Sequence, residues 1–330
     1  MKKKLLTITL AAVLALFLLV ACGNGNNSSA ISTPIPDRTH DESVAPTSEP
    51  IQEYNGTADL DSSDDDIATL VHSFSPQSSI SASGGYAVGL RTDGTVVAVG
   101  DNSLGQLDVG DWTDIIAVTT GGSHTVGLRA DGTVVGVGRN VNSELDVHDW
   151  SDIIAVSAGN RATAGLKADG TVVAVGIMGE GVILSNITAI AVGGSHIVGL
   201  RTDGTVIAVG HTSDYTPDWT EIVAVAAGGS HVVGLRTDGT VVSSGEYRHM
   251  VEEWFDIVAI AAGGANTFGL RADGTVVGAG DNTVGQLDGI ADWSNIIAIS
   301  AGIGLKADGS VVVVDFLDAV DWSNIRTTPP

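Results

Sequence analysis

His124, His196 and His231 each follow a Gly-Gly-Ser turn and open a run ending in Val-Gly-Leu. Imidazoles at such regular positions are candidate metal ligands or proton shuttles. A zinc site needs its donors within ~2.0–2.2 Å of one ion. Equivalent positions on successive repeats lie too far apart for that. Tyr86, Ala162 and Asn266 take the same position elsewhere. The spacing therefore predicts structural histidines, each holding its glycine turn by a backbone hydrogen bond. Seven Asp-Gly pairs, from Asp93-Gly94 to Asp308-Gly309, offer carboxylates for acid–base work. They recur in every repeat, so turn geometry accounts for them. No Ser-His-Asp set departs from the repeat, and no phosphate loop or His-Glu-x-x-His motif is present. The expected inventory is no catalytic residue, no metal and no cofactor, in a chain that is not an enzyme.

The elements that position these residues come in a strict order. A Gly-Leu-(Arg/Lys) phrase followed by Asp-Gly occurs seven times, at Leu90, Leu128, Leu166, Leu200, Leu235, Leu270 and Leu305, with spacings of 38, 38, 34, 35, 35 and 35 residues. Each unit reads as a strand after Trp, a glycine turn, a second strand, an Asp-Gly hairpin and a third strand. Units this short hold three strands more easily than four. One small sheet cannot bury both faces, but seven in a ring can, and the ring protects most edges. The predicted fold is all-β, a seven-bladed propeller with three-stranded blades; a linear β-solenoid is the alternative.

All six tryptophans, Trp112, Trp150, Trp219, Trp254, Trp293 and Trp322, occupy one repeat position, and Leu184 takes it once. Such regularity predicts packing between neighbouring blades rather than a ligand-binding row. Trp322-Ser323-Asn324-Ile325 starts a strand with no second strand after it, so this segment is expected to complete the blade at 85–100.

Composition excludes other classes. The 330 residues include 43 glycines without a collagen period, and the net charge of −24 opposes nucleic-acid binding. Lys2, Lys3 and Lys4 precede an apolar stretch from Leu5 to Val20, which ends at the single cysteine, Cys22. Leu19-Val20-Ala21-Cys22 resembles the lipobox of bacterial lipoproteins. That resemblance implies a signal peptide over 1–21, lipidation of Cys22 and an extracytoplasmic, membrane-anchored chain. Removing three lysines and no acid takes the net charge from −24 to −27. Residues 22–69 read as a disordered tether: from Gly23 to Asp66 there are four prolines, ten acids and one base, Arg38. Asp64-Asp65-Asp66 is read as a solvated charge run rather than a calcium site. The propeller spans 70–326, and 327–330 form a short tail.

The run Val118-Thr119-Thr120-Gly121-Gly122-Ser123-His124-Thr125-Val126-Gly127-Leu128 resembles the signature of the regulator of chromosome condensation repeat. Gly100-Asp101-Asn102-Ser103-Leu104-Gly105-Gln106-Leu107 and the run 280–287 resemble its Gly-x-Asn-x-x-Gly-Gln-Leu phrase. The resemblance covers about 74–326 and implies a seven-bladed propeller. The repeats are shorter than those of the eukaryotic nuclear protein and are similar to secreted bacterial members, which include a propeller-shaped β-lactamase inhibitory protein. Val99 and Ala279 stand where the family has tryptophan, and repeat seven lacks four residues at its turn. Acidity and the export signal oppose chromatin binding, so nucleotide exchange is not expected.

Variation concentrates in the loop after the third strand. The loops 101–108 and 281–288 keep a common form, whereas 178–182, 211–218 and 246–253 diverge. The divergent loops and the residue just after them supply Met178, Tyr215, Tyr247, Arg248, His249, Met250 and Phe255. Consecutive blades should bring these into one arc on one face, and Tyr and Arg are common interface anchors. The expected role is a monomeric, lipid-anchored module that binds a protein or glycan ligand at the cell surface. The alternatives are an inhibitor of a secreted or envelope enzyme and an envelope hydrolase or lyase.

Overall fold

The computed structural model describes residues 79–177, 184–210, 219–245, 248–314, 322 and 324–327. These residues form seven antiparallel three-stranded sheets, each in sequence order. Blade one comprises β1 (Ile80–Ser83), β2 (Tyr86–Leu90) and β3 (Val96–Gly100). Blades two to seven occupy 115–138, 153–176, 187–210, 222–245, 257–280 and 296–313. The first strands touch one another in succession, and that of blade seven touches β1, which closes the ring. The fold is a seven-bladed β-propeller with three strands per blade.

Burial follows from radial position. Middle strands such as His124–Arg129 are buried at every residue but the last, because both faces meet neighbouring blades. Outer strands such as Val134–Gly138 are only partly covered. The apolar clusters therefore lie between blades. One joins Val88, Leu90 and Val96 of blade one to Trp112, Ile115 and Val118 of blade two. The indole of Trp112 sits in that seam against Gly127, where a Cβ would meet its ring at 2.7 Å. This bears out the reading of the tryptophans as packing between blades.

The ends of each blade are built by recurring backbone bonds. In the hairpins, Asp93 Oδ1 accepts from the Thr95 amide at 2.9 Å and its hydroxyl at 2.6 Å. Gly94 takes φ +83°, giving a three-residue loop with glycine in the left-handed region. The same Asp pattern recurs at every hairpin through Asp308–Ser310. On this hairpin face, Gly94 O accepts from Ile115 N of the next blade at 3.2 Å, and Gly132 O from Ile153 N at 3.1 Å. On the opposite, turn face, Gly122 N donates to Gly159 O at 3.2 Å and Gly229 N to Gly264 O at 2.7 Å.

Closure uses both chain ends. Ile325 forms an antiparallel bridge with Arg91, in the register of Ile115 with Arg129 in blade two. Asn324 takes φ 60° and accepts from Thr92 N at 3.1 Å, as Asp114 (φ 59°) accepts from Ala130 N at 3.0 Å. The first strand of blade one is thus shared between the C-terminal 324–326 and the N-terminal β1.

Candidate functional site

The repeated histidines are the first candidates for chemistry, and the structure assigns them to packing between blades. His124 is 1% exposed, and its Nε2 lies 3.0 Å from Thr163 Oγ1 of the next blade. Thr163 donates its own hydroxyl proton to Glu144 O at 2.7 Å, so the imidazole must donate from Nε2. His231 Nε2 makes the same 3.0 Å contact with Thr267 Oγ1. Tyr86, at the equivalent position of blade one, donates to Gly121 O at 3.0 Å and His124 O at 2.6 Å. The expected backbone bond between histidine and its own glycine turn is present, Gly121 N donating to His124 O at 2.7 Å, Gly193 N to His196 O at 2.8 Å and Gly228 N to His231 O at 2.9 Å, and the imidazole has a further role. The ring reaches across the seam, and the glycine's part is to leave room for it: a Cβ on Gly121, Gly193 or Gly228 would strike the imidazole.

His196 lacks such a partner because Val232 stands where blades three and six have Thr163 and Thr267. Both of its ring nitrogens are buried with no side-chain partner, and a backbone contact with His231 favours the charged ring. Burial lowers all three histidines to about 4; Glu144 partly opposes this at His124, and His196 adds to it at His231. They are neutral at physiological pH, enclosed and unable to exchange protons with a substrate. Among the described residues, no three His, Cys, Asp or Glu side chains converge in a way that would hold a metal ion.

The loops leaving the turn face come next. In 101–108, Asn102 Nδ2 donates to Asp108 Oδ1 at 3.0 Å and Leu107 N donates to Asn102 Oδ1 at 2.8 Å. The loop 281–288 repeats both bonds. So does 139–146, through Asn140, Leu145 and Asp146, a third member of the common form that the sequence reading did not single out. Its signal was the conserved spacing of Asn140 and Asp146, masked by exchanges elsewhere. Arg139 and Glu144 replace the Asp101 and Gln106 of the first loop, and Ser143 takes φ 62° in place of Gly105. Glu144 is fully buried. Burial pushes its carboxyl up, but bonds from its own amide, from the Asn142 amide and from the Asn142 side chain hold it below the usual range. Arg139 Nε stands 3.8 Å away. This buried carboxylate, like the histidines, is structural.

Of the divergent loops, Met178, Tyr215 and Tyr247 lie outside the described residues, as does Cys22. Arg248, His249 and Met250 fall in a 3-10 turn, Arg248–Val251, pinned by the buried Val251. Met250 is 52% exposed and Phe255 60% exposed. The Arg271 guanidinium lies 5.6 Å from the centroid of the Phe255 ring, within cation–π range. Met250 and Phe255 are presented to solvent; the single arc expected for the full set includes Met178, Tyr215 and Tyr247, which lie outside the described residues.

A site absent from the sequence reading opens on the hairpin face of blade four. Leu184, Ser185, Asn186, Arg201, Asp203 and Ile207 line an open depression of about 350 Å³. It lies where Leu184 replaces the tryptophan of the other blades. In the sequence Leu184 is an interruption in the tryptophan row.

Four segments, 78–106, 115–144, 222–246 and 257–286, match the Regulator of chromosome condensation (RCC1) repeat. No curated protein matches the chain. Among solved structures, the entire ectodomain of the Physcomitrella patens receptor kinase CR4 aligns with a TM-score of 0.58 at 19% identity, over 70% of this chain and 71% of that one. The CRINKLY WD40 ectodomain of the Arabidopsis thaliana receptor kinase ACR4 aligns with 0.52 at 23% identity, over 61% and 80%. Yeast RCC1 (Prp20), solved bound to Kap60, aligns with 0.50 at 15% identity, over 64% and 71%. At these identities the likeness is one of fold.

Proposed function

With repeats of the RCC1 type as the premise, we propose that this chain is an exported, lipid-anchored propeller that binds a protein partner through its divergent loops. The carrying observation is the division between fixed and free positions. His124, His231 and the tryptophans hold blades together, and the Asp-Gly pairs and common loops are held by bonds within their own turns. Departures from the repeat gather in 178–182, 211–218 and 246–253, and Met250 within the third and Phe255 just after it are exposed. Yeast RCC1, whose fold is similar, was solved bound to another protein, Kap60. Rigid display of loops, rather than catalysis, is the mechanism: binding energy concentrates in a few aromatic, arginine and apolar anchors on a frame that loses little entropy. Lipid on Cys22 would hold the acidic body at the membrane, with residues 22–69 as spacer.

The binding test compares the natural full chain with one whose 211–218 and 246–253 loops are replaced by the 101–108 form. Capture of the same envelope protein by the natural chain alone supports the reading. Equal capture by both moves the site off these loops, and glycan-only capture replaces the protein ligand by a sugar. The anchor test is Cys22→Ser. Loss of lipid labelling with release from the membrane fraction supports lipidation; unchanged membrane retention overturns it.

A further inference from the structure

One position of the first strand divides the blades into two sets. It is the residue paired with the one just before the Gly-Leu phrase: Ser81 with Val88, Thr119 with Val126, Ser157 with Ala164, Ala191 with Val198, Ala226 with Val233, Ala261 with Phe268 and Ser300 with Ile303. Blades seven, one, two and three carry a hydroxyl there, and blades four, five and six carry alanine. All of these side chains are buried.

Each hydroxyl fastens the next blade. Ser300 Oγ accepts from Ala82 N at 3.3 Å, Ser81 Oγ from Thr120 N at 3.0 Å, Thr119 Oγ1 from Ala158 N at 3.2 Å and Ser157 Oγ from Val192 N at 3.0 Å. The ring is thus stapled through its first strands from blade seven, across its own closure, to blade four. The seams that follow, four to five, five to six and six to seven, have only a methyl group at this place. The middle one keeps the contact of His231 with Thr267. At the other two, among the described residues, His196 has no side-chain partner and Asn266 Oδ1 has none either. This arc is held instead by one apolar cluster, running from Ala224 and Ala226 of blade five to Ile296 and Ile299 of blade seven. Apolar contact holds surfaces together without fixing their direction, whereas a hydrogen bond fixes distance and angle.

We propose that the ring is a frame of two parts, a stiff arc from blade seven to blade four and a compliant arc from blade four to blade seven, which yields by sliding at the unstapled seams. Each blade keeps its hydrogen-bonded ladder and moves as a unit. The seam where the chain ends meet belongs to the stiff arc, so the ring gives way opposite its closure. The loops 211–218 and 246–253 leave blades four and five. A shift at these seams changes the separation of the two loops while each stays fixed on its own blade. That consequence rests on the loop reading; the division of the ring does not.

Amide hydrogen exchange, followed by NMR on the full chain in detergent, tests the division. The readout is a bond that the seams share on the hairpin face, away from the staples. In the stiff arc it is Ile115 N to Gly94 O at 3.2 Å and Ile153 N to Gly132 O at 3.1 Å; in the compliant arc it is Ile222 N to Gly204 O at 3.2 Å and Ile296 N to Gly274 O at 3.1 Å. The bonds match in length, so a difference in exchange reports opening of the seam. Ile222 and Ile296 are expected to exchange about two- to tenfold faster than Ile115 and Ile153. Ala191→Ser, the residue that blades one, three and seven carry, should slow Ile222 by about two- to tenfold and leave Ile115 unchanged. Ser157→Ala only removes an atom and decides the matter if A191S fails to fold. It should speed Ile187, which makes the same bond to Gly170 O at 3.0 Å, by a like factor. Equal exchange of the four amides in the natural chain, an unslowed Ile222 in folded A191S, or an Ile187 unmoved by S157A overturns the proposal. Capture that does not depend on the loops, with the exchange pattern as expected, overturns the loop reading alone.

Discussion

Ile325 pairs antiparallel with Arg91, joining the C-terminal end of the described chain to the first blade. Around this bridge, Arg326 N donates to Leu90 O at 2.9 Å and Arg326 Nη2 donates to Thr92 O at 3.1 Å. Ile325 is 1% exposed, and a Cβ on Gly89 would meet both Ile325 and Trp322 at 2.8 Å. Truncation after Asp321 removes the apolar cover of blade one and opens two strand edges. The expected loss is at least ~3 kcal/mol, with Ile325→Ala alone costing about 2–5 kcal/mol. Thermal and chemical melts measure both. An unchanged melting temperature after truncation would show that the ring does not depend on this clasp.

Gly228 and His231 form a matched pair within one turn. A Cβ on Gly228 would meet only imidazole atoms, Cε1, Nδ1 and Nε2, as its nearest neighbours. Gly228→Ala should therefore cost about 1–3 kcal/mol by overpacking. In a His231→Ala background the same substitution should cost close to nothing, since the ring it strikes is gone. A double-mutant cycle from denaturant melts reads the coupling. Equal costs in both backgrounds would place the constraint in the backbone instead.

The three buried histidines set a pH window. Each falls from an ordinary 6.5 to about 4 in the fold, chiefly through burial. Above pH 6.5 they are neutral folded and unfolded, and stability from this source is flat. Between 6.5 and 4 the unfolded chain takes up protons that the folded chain refuses, so stability falls, by roughly 1 kcal/mol per pH unit for each histidine. Below 4 this contribution levels off. The hairpin aspartates act lower still: hydrogen bonds from Thr95 and its equivalents hold them below 3.8, and their contribution is lost as pH falls through those values. His196→Leu, which gives up no side-chain hydrogen bond, should remove about a third of the slope between pH 6.5 and 4. Denaturant midpoints at several pH values measure it; an unaltered slope would mean that His196 is not the buried neutral group described.

Blade number, strands per blade and the C-terminal clasp were legible because each depends on spacing within the chain: seven Asp-Gly hairpins, one glycine turn per unit, and a strand start at Trp322 with nothing after it. The role of histidine was less legible. His124 meets Thr163, 39 residues on, and comparing one repeat with another shows which residues recur but not which recurring residues touch across a seam. The loop 139–146 hid behind the exchange of Gln106 for Glu144 and Asp101 for Arg139, which preserves the Asn–Asp frame and alters the charges. The blade-four depression was invisible for a different reason. Leu184 and Ile207 are each unremarkable apolar residues, and only the structure shows that Ile187 and Ile207 stand over Gly199 where the other blades have an indole.

The histidine ladder also makes a prediction where it is broken. His124 with Thr163 and His231 with Thr267 both stand at 3.0 Å, whereas Val232 takes the equivalent position beyond His196, whose buried ring nitrogens have no side-chain partner. An unpaired buried polar group costs about 1–3 kcal/mol, so blade four holds a repairable defect. Val232→Thr supplies the missing hydroxyl at the position blades three and six already use. Alone, burying a hydroxyl in place of a methyl group is destabilising. Opposite His196 the new bond should offset that cost, leaving stability unchanged or raised. In a His196→Leu background the hydroxyl has no imidazole to meet, and the same V232T should destabilise. The cycle should give a coupling of about 0.5–1.5 kcal/mol. Equal losses in the two backgrounds would show that the His196 ring does not reach the neighbouring blade, and that the ladder is a property of two seams rather than of the repeat.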